Sequence, residues 1–192
     1  MAPYGIPRYV DKVWKLIDLA PDGSFRLDMD YFAFHRSTTT TYSAKFIRLF
    51  GPPRDPRVNF FTEKSGYPSY FGERPGNFHE LARGNQHYAD VAASIQTVVE
   101  EVLVTMARAL RRDTGMRNLC IAGGVGLNSV ANWRMLREAG FDDLYVQPAA
   151  GDAGGAVGVG GHHDLRHLYS RARRRESHGA AESTRRAAPL HR

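Results

Sequence analysis

Two glycine-rich blocks hold the residues best suited to chemistry: Gly123-Gly124-Val125, and Gly151-Asp152-Ala153-Gly154-Gly155. The first block follows Asn118 to Ala122, an apolar run with the character of an interior strand. It leads into helical spacing from Val125 through Val130 and Trp133-Leu136 to Glu138, ended by Gly140. A strand that turns on glycines into a helix start aims free backbone N–H groups and the positive dipole end at one spot. Without Cβ atoms in the way, a phosphate can approach that backbone closely. The second block follows a strand at Leu144 to Val146, stopped by Pro148. An aspartate on such a turn can hold a divalent metal or orient a polar ligand, and it can equally cap a helix.

The elements that must position these turns lie upstream. Val91, Ile95, Val98, Val102, Met106 and Leu110 recur at three- and four-residue steps, which predicts a helix over 88–112 with a core-facing stripe and a stop at Gly115. Before it, Tyr9 to Leu19 reads as an amphipathic helical piece, with Val10, Val13-Trp14 and Ile17 on one face and a turn at Pro21-Asp22-Gly23. Phe25 to His35 alternates like a strand, and its aromatics Tyr31, Phe32 and Phe34 read as core. Ser37 to Thr41 is a polar turn, Ala44 to Phe50 a short helix, and residues 51–86 a long surface loop. The single Cys120 sits inside the predicted strand and reads as a small core residue, not a nucleophile.

A chain of 192 residues can bury one core or serve as one lobe of something larger. The net charge of +6 invites a nucleic-acid reading, but its distribution argues against one. Residues 162–192 hold eight arginines against Asp164, Glu176 and Glu182, so the body carries only about +1. Past Gly158 the apolar periodicity stops, and the composition predicts a disordered basic tail over 159–192. His163 and His167 in that tail have a metal-ligand spacing that an Arg- and His-rich segment produces by accident. No run approaches a membrane span and no signal-peptide core opens the chain, so a reducing, cytoplasmic setting is expected.

A Gly-Gly pair at a strand-to-helix turn is common on its own; the wording of the two blocks together is not. AGGVGLNSVAN, followed at the right distance by VQPAAGDAGGA, resembles the core signature of the NodU/CmcH-type O-carbamoyltransferases. The resemblance extends through Ala2-Pro3-Tyr4-Gly5, Phe25-Arg26-Leu27-Asp28-Met29-Asp30-Tyr31-Phe32 and Asp90-Val91-Ala92-Ala93-Ser94-Ile95-Gln96.

It implies an α/β fold, part of an actin- and sugar-kinase-like (ribonuclease H-like) lobe, with residues 1–158 as a partial catalytic domain. It implies carbamoyl phosphate and ATP as substrates, a carbamoyl adenylate between them, and transfer to a hydroxyl of a small molecule or glycan. Gly123, Gly124, Val125 and Asn128 match the nucleotide-contacting turn, with the Asn128 amide available to the ribose or a phosphate. Gly151, Gly154 and Gly155 match the second close approach, and Asp152 matches a ligand of a divalent metal, iron in the wider superfamily. The family's His-x-x-x-His metal pair has no counterpart here, so a fragment inactive alone is expected, with a frameshift or truncated reading frame behind the tail. Two other readings stand beside this one: a tRNA threonylcarbamoyltransferase-like nucleotide binder, and a non-enzymatic partner or nucleic-acid binder acting through Arg171 to Arg175.

Overall fold

The computed structural model describes residues 1–154, so the predicted tail with His163, His167 and Arg171 to Arg175, the domain end at 158 and Gly155 lie outside the described residues. The chain divides into two compact units, one of residues 1–119 and 129–144, the other of residues 120–128 with 145 onward. Secondary structure is mixed helix and small sheets, as an α/β reading expects.

The first unit is built along one long helix, Phe78–Thr114, numbered α3 in chain order. Gly115 ends it in the left-handed conformation (φ 66°), its N–H donating to the Arg111 carbonyl. The helix starts ten residues before the predicted 88. Gly84 and Asn85 interrupt the apolar period there, but Phe78 and Ala82 bury against Phe61, with Tyr67 and Phe71 packed on them. The segment 51–86 is thus not simply a surface loop: its end is helical and its middle carries a small aromatic core.

The expected stripe on α3 is only partly core. Val98 and Val102 are buried, whereas Ile95, Met106 and Leu110 are exposed, and Ala82, Ala89, Ala93, Ala107 and Ala109 are buried in their place. The reason is close backbone approach. A Cβ on Gly5 would lie 2.0 Å from the Ala89 carbonyl oxygen, and one on Gly23 2.8 Å from the Met106 Cα. Small residues therefore face the docked chain, and longer ones are turned aside.

Ahead of α3, α1 (Val10–Val13) passes through a 3-10 turn at Trp14–Leu16 into β1, Ile17–Leu19. The predicted helical piece is cut short because Ile17–Leu19 pairs antiparallel with β2, Phe25–Leu27, around the turn at Gly23 (φ 83°). β2 also ends early: the Asp28 carboxylate accepts the Asp30 N–H at 3.0 Å and turns the chain. Tyr31 is buried and Phe32 packs on the same core, but Phe34 is half exposed. Helix α2, Ala44–Phe50, forms as predicted, with the Ser43 hydroxyl accepting the N–H groups of Lys45 and Phe46.

The N-terminal segment is fastened to α3 by two buried polar side chains. Asp90 accepts the Ile6 N–H and the Gln86 amide, both at 2.8 Å, and pairs with Arg8 at 3.4 Å. Ser94 accepts the Tyr9 N–H at 2.9 Å and donates to the Asp90 carbonyl. Helix α4, Ser129–Glu138, lies against α3 through buried Ala131 and Met135, and Arg134 reaches Glu100, Glu101 and Glu138. Strands β3 (Asn118–Ile121) and β4 (Asp143–Val146), which flank α4 in the sequence, pair in a second small sheet. No helix among the described residues is long and apolar enough to cross a membrane.

Candidate functional site

The described part of the second unit consists largely of the two glycine turns. β3 ends at Ile121, and Gly123 (φ 109°, ψ 159°) takes a backbone conformation that residues with a Cβ rarely adopt. A 3-10 turn, Gly124–Leu127, follows, closed by the Gly126 N–H on the Gly123 carbonyl. The predicted continuous helix from Val125 is thus a tight turn first. Asn128 (φ −76°, ψ 88°) stands outside both helices, and α4 begins at Ser129.

The second turn is held to the first by backbone. Gln147 N–H donates to the Ile121 carbonyl at 3.2 Å, and Gly123 N–H donates to the Ala150 carbonyl at 2.6 Å. Ala149 takes a left-handed conformation (φ 58°), and buried Ala150 faces Gly126. A Cβ on Gly151 would lie 3.8 Å from the Gly124 Cα, and one on Gly154 only 2.3 Å from the Ala149 carbonyl oxygen. Residues 152–154 are helical, so Asp152 occupies a first helical position and not the cap.

The structure therefore brings Gly123, Gly124 and Val125 together with Gly151, Asp152 and Gly154. Gly123, Gly124, Val125 and Asp152 are exposed, while Asn128, Gly151 and Gly154 are partly buried. Among the described residues the amides of Gly124 and Val125 donate no backbone hydrogen bond, so they can turn to an anion. The described part of this unit contains no Lys or Arg, and Asp152 is its one charged side chain. An anion here would be held by backbone dipoles.

Asp152 is exposed and is the one charged side chain in the described part of its unit. Among the described residues no group of three or more His, Cys, Asp or Glu side chains could hold a metal ion, and a single exposed carboxylate is too few donors for a divalent cation. Cys120 also departs from expectation. It is exposed, because β3 pairs with β4 alone among the described residues and only Leu119 and Ile121 turn toward covered ground. Sequence reasoning missed Ala149 and Ala150, whose roles lie in a backbone angle and a carbonyl; neither leaves a mark in residue type.

Comparison with known proteins adds a consistent set of matches. The family model described as the carbamoyltransferase N-terminus matches residues 1–160. An uncharacterized protein of Synechocystis sp. is 42% identical over 160 residues, which cover 83% of this chain and 22% of that protein. Nodulation protein NolO of Bradyrhizobium diazoefficiens is 47% identical over 74 residues, 38% of this chain and 14% of its own length. Nodulation protein U of Sinorhizobium fredii is 46% identical over 83 residues, 41% of this chain and 15% of its own. The chain thus spans less than a quarter of each of these relatives.

Proposed function

The chain belongs to the carbamoyltransferase family through the N-terminal region of those proteins, and from that premise we propose that it takes part in ATP-dependent O-carbamoyl transfer. In this reading carbamoyl phosphate is hydrolysed to carbamate and phosphate, a carbamate oxygen attacks the α-phosphorus of ATP, and pyrophosphate leaves, which gives a carbamoyl adenylate. A hydroxyl oxygen of a small-molecule or glycan acceptor then attacks the carbamoyl carbon, the bond to the adenylate phosphate breaks, and AMP leaves. The body of the chain is read as part of an actin- and sugar-kinase-like lobe, with residues 1–158 as the domain.

The observation that carries the proposal is the backbone pairing of the two glycine turns through Gly123 and Ala150, with the amides of Gly124 and Val125 left open. Those amides are assigned to phosphate oxygens and the Asn128 side chain to the ribose or a phosphate. Gly151, Gly154 and Gly155 let the ligand come close. No step is assigned to a metal.

The test is calorimetric titration of the full chain with ATP, beside Gly124→Ala and Asn128→Ala. A Cβ on Gly124 meets nothing within 4 Å, so that variant keeps its fold and blocks only a ligand that approaches the backbone. At least a tenfold loss of affinity is expected for Gly124→Ala, and a smaller loss for Asn128→Ala. ATP bound equally well by both variants sinks the assignment.

A further inference from the structure

The first unit holds an apolar pocket between α2 and α3, of about 110 Å³. Five rings, those of Tyr42, Phe46, Phe50, His87 and Tyr88, form half of its lining, and Gly51, Pro52, Pro53 and Val91 complete it, with Ile47 at its exposed side. The rings are already set edge-on and tilted to one another: Phe46 to Phe50 at 4.9 Å, Tyr42 to Phe46 at 6.0 Å, and His87 to Tyr88 at 5.3 Å. The polar atoms of His87 and Tyr88 are committed elsewhere. His87 Nε2 donates to the Phe50 carbonyl at 2.7 Å, which leaves Nδ1 to accept the Tyr9 hydroxyl at 3.1 Å. The Tyr88 hydroxyl donates to the Pro52 carbonyl at 3.4 Å.

From this geometry we infer that the pocket binds a single uncharged aromatic ring, a site separate from the glycine turns. Size and chemistry agree on that occupant. An apolar cavity of roughly 150 Å³ takes up benzene, and one of about 110 Å³ is scaled to at most one such ring. A charged ligand would find no ionic partner, because no Lys, Arg, Asp or Glu lines the wall. Aromatic walls favour an aromatic guest over a saturated one of equal size, since ring pairs gain by edge and offset contacts beyond area alone.

The inference is tested by NMR of the full chain titrated with benzyl alcohol, cyclohexylmethanol and benzoate, following the Ile47 methyls and the Phe46 and Tyr88 rings. Benzyl alcohol should give saturable shifts at these groups, cyclohexylmethanol should bind two- to tenfold more weakly, and benzoate should give none. Ile47→Trp, at an exposed position, should fill the mouth and remove the shifts. Tyr42→Leu should bring the aromatic and saturated alcohols to equal affinity. If Ile47→Trp loses its spectral dispersion, the Tyr42→Leu ratio decides. Absence of saturable shifts, equal affinity for both alcohols in the unsubstituted chain, or a ratio unchanged in Tyr42→Leu would overturn it.

Discussion

The two units are held together by different parts of the chain. In the first, side chains do the fastening: Asp90 and Ser94 tie the N-terminal segment to α3, and Arg134 ties α4 to the same helix. In the second, the joins are backbone to backbone, Gly123 to Ala150 and Gln147 to Ile121, and the glycines serve by what they lack. The consequence is an opposite sensitivity to substitution. Removing atoms should damage the first unit, and adding them should damage the second.

The largest effect is expected where the first unit has both a buried charge and no spare room. Asp90→Ala leaves the Ile6 N–H without an acceptor and the Gln86 amide and Arg8 without this partner. A cost of about 2–4 kcal/mol follows, seen as a thermal midpoint lowered by roughly 5–10 °C. Gly5→Ala is the exception that sharpens the comparison: it adds one carbon, yet places it against the Ala89 carbonyl, and a loss of about 1–3 kcal/mol is expected. Calorimetry showing either variant as stable as the unsubstituted chain would mean the N-terminal segment is not anchored this way.

In the second unit Gly123→Ala should cost about 1–3 kcal/mol of local strain, because its φ is 109°. That strain opens the turn without unfolding the α3 body. The expected outcome is faster amide exchange at Gly126 and Gln147 with the main thermal transition unmoved, and ATP affinity lowered at least tenfold if the proposed nucleotide role holds. A full-chain loss of stability as large as that of Asp90→Ala would erase the distinction between the units.

These two regions were also unequally legible in sequence. Turns and stops read correctly because their chemistry is local: the turn at Gly23, the short helix over Ala44–Phe50, and Gly115 and Gly140 in left-handed conformations. The face of α3 read only in part: Val98 and Val102 are buried as expected, and Ile95, Met106 and Leu110 are not. Whether Ile95 or Ala93 is buried depends on which segment docks there, and that docking is set by Gly5 and Asp90 far apart in the sequence. The glycine blocks could be picked out as a candidate anion site. The hydrogen bond that joins Gly123 to Ala150 could not, nor could the 3-10 turn that displaces the start of α4 to Ser129.

A smaller effect should come from the α4 anchor. Arg134 is one-quarter exposed and donates to Glu100 at 3.2 Å, Glu101 at 2.9 Å and Glu138 at 2.7 Å. Arg134→Met keeps the apolar stem and removes the charge. It should destabilise by about 1–2 kcal/mol in low salt and by less in high salt. A loss independent of salt would assign the effect to packing.

The smallest expected effect concerns the acid limb of stability. The hydrogen bond from Arg134 holds the Glu138 carboxyl below the usual carboxylate range, with the charges of Arg134 and Arg108 acting in the same direction. A carboxyl whose pKa is lower folded than unfolded stabilises the chain above its unfolded pKa, near about 4.3 for glutamate. That contribution is lost as the pH falls through the folded value. Glu138→Gln should therefore lower the urea midpoint at pH 7 slightly, and the gap from the unsubstituted chain should close as the pH falls below the ordinary glutamate range. Asp22 and Asp28 shift the same way, through the Ser24 hydroxyl and the Asp30 N–H, and steepen the acid limb in both proteins without changing the gap. A gap that is the same at about pH 7 and pH 2 would show that the ionised form of Glu138 does not help hold α4. Helix α4 would then rest on its apolar contacts and on the bonds of Arg134 to Glu100 and Glu101, and the contrast with the backbone-built second unit would lean most on Asp90 and Ser94 at the N-terminal segment.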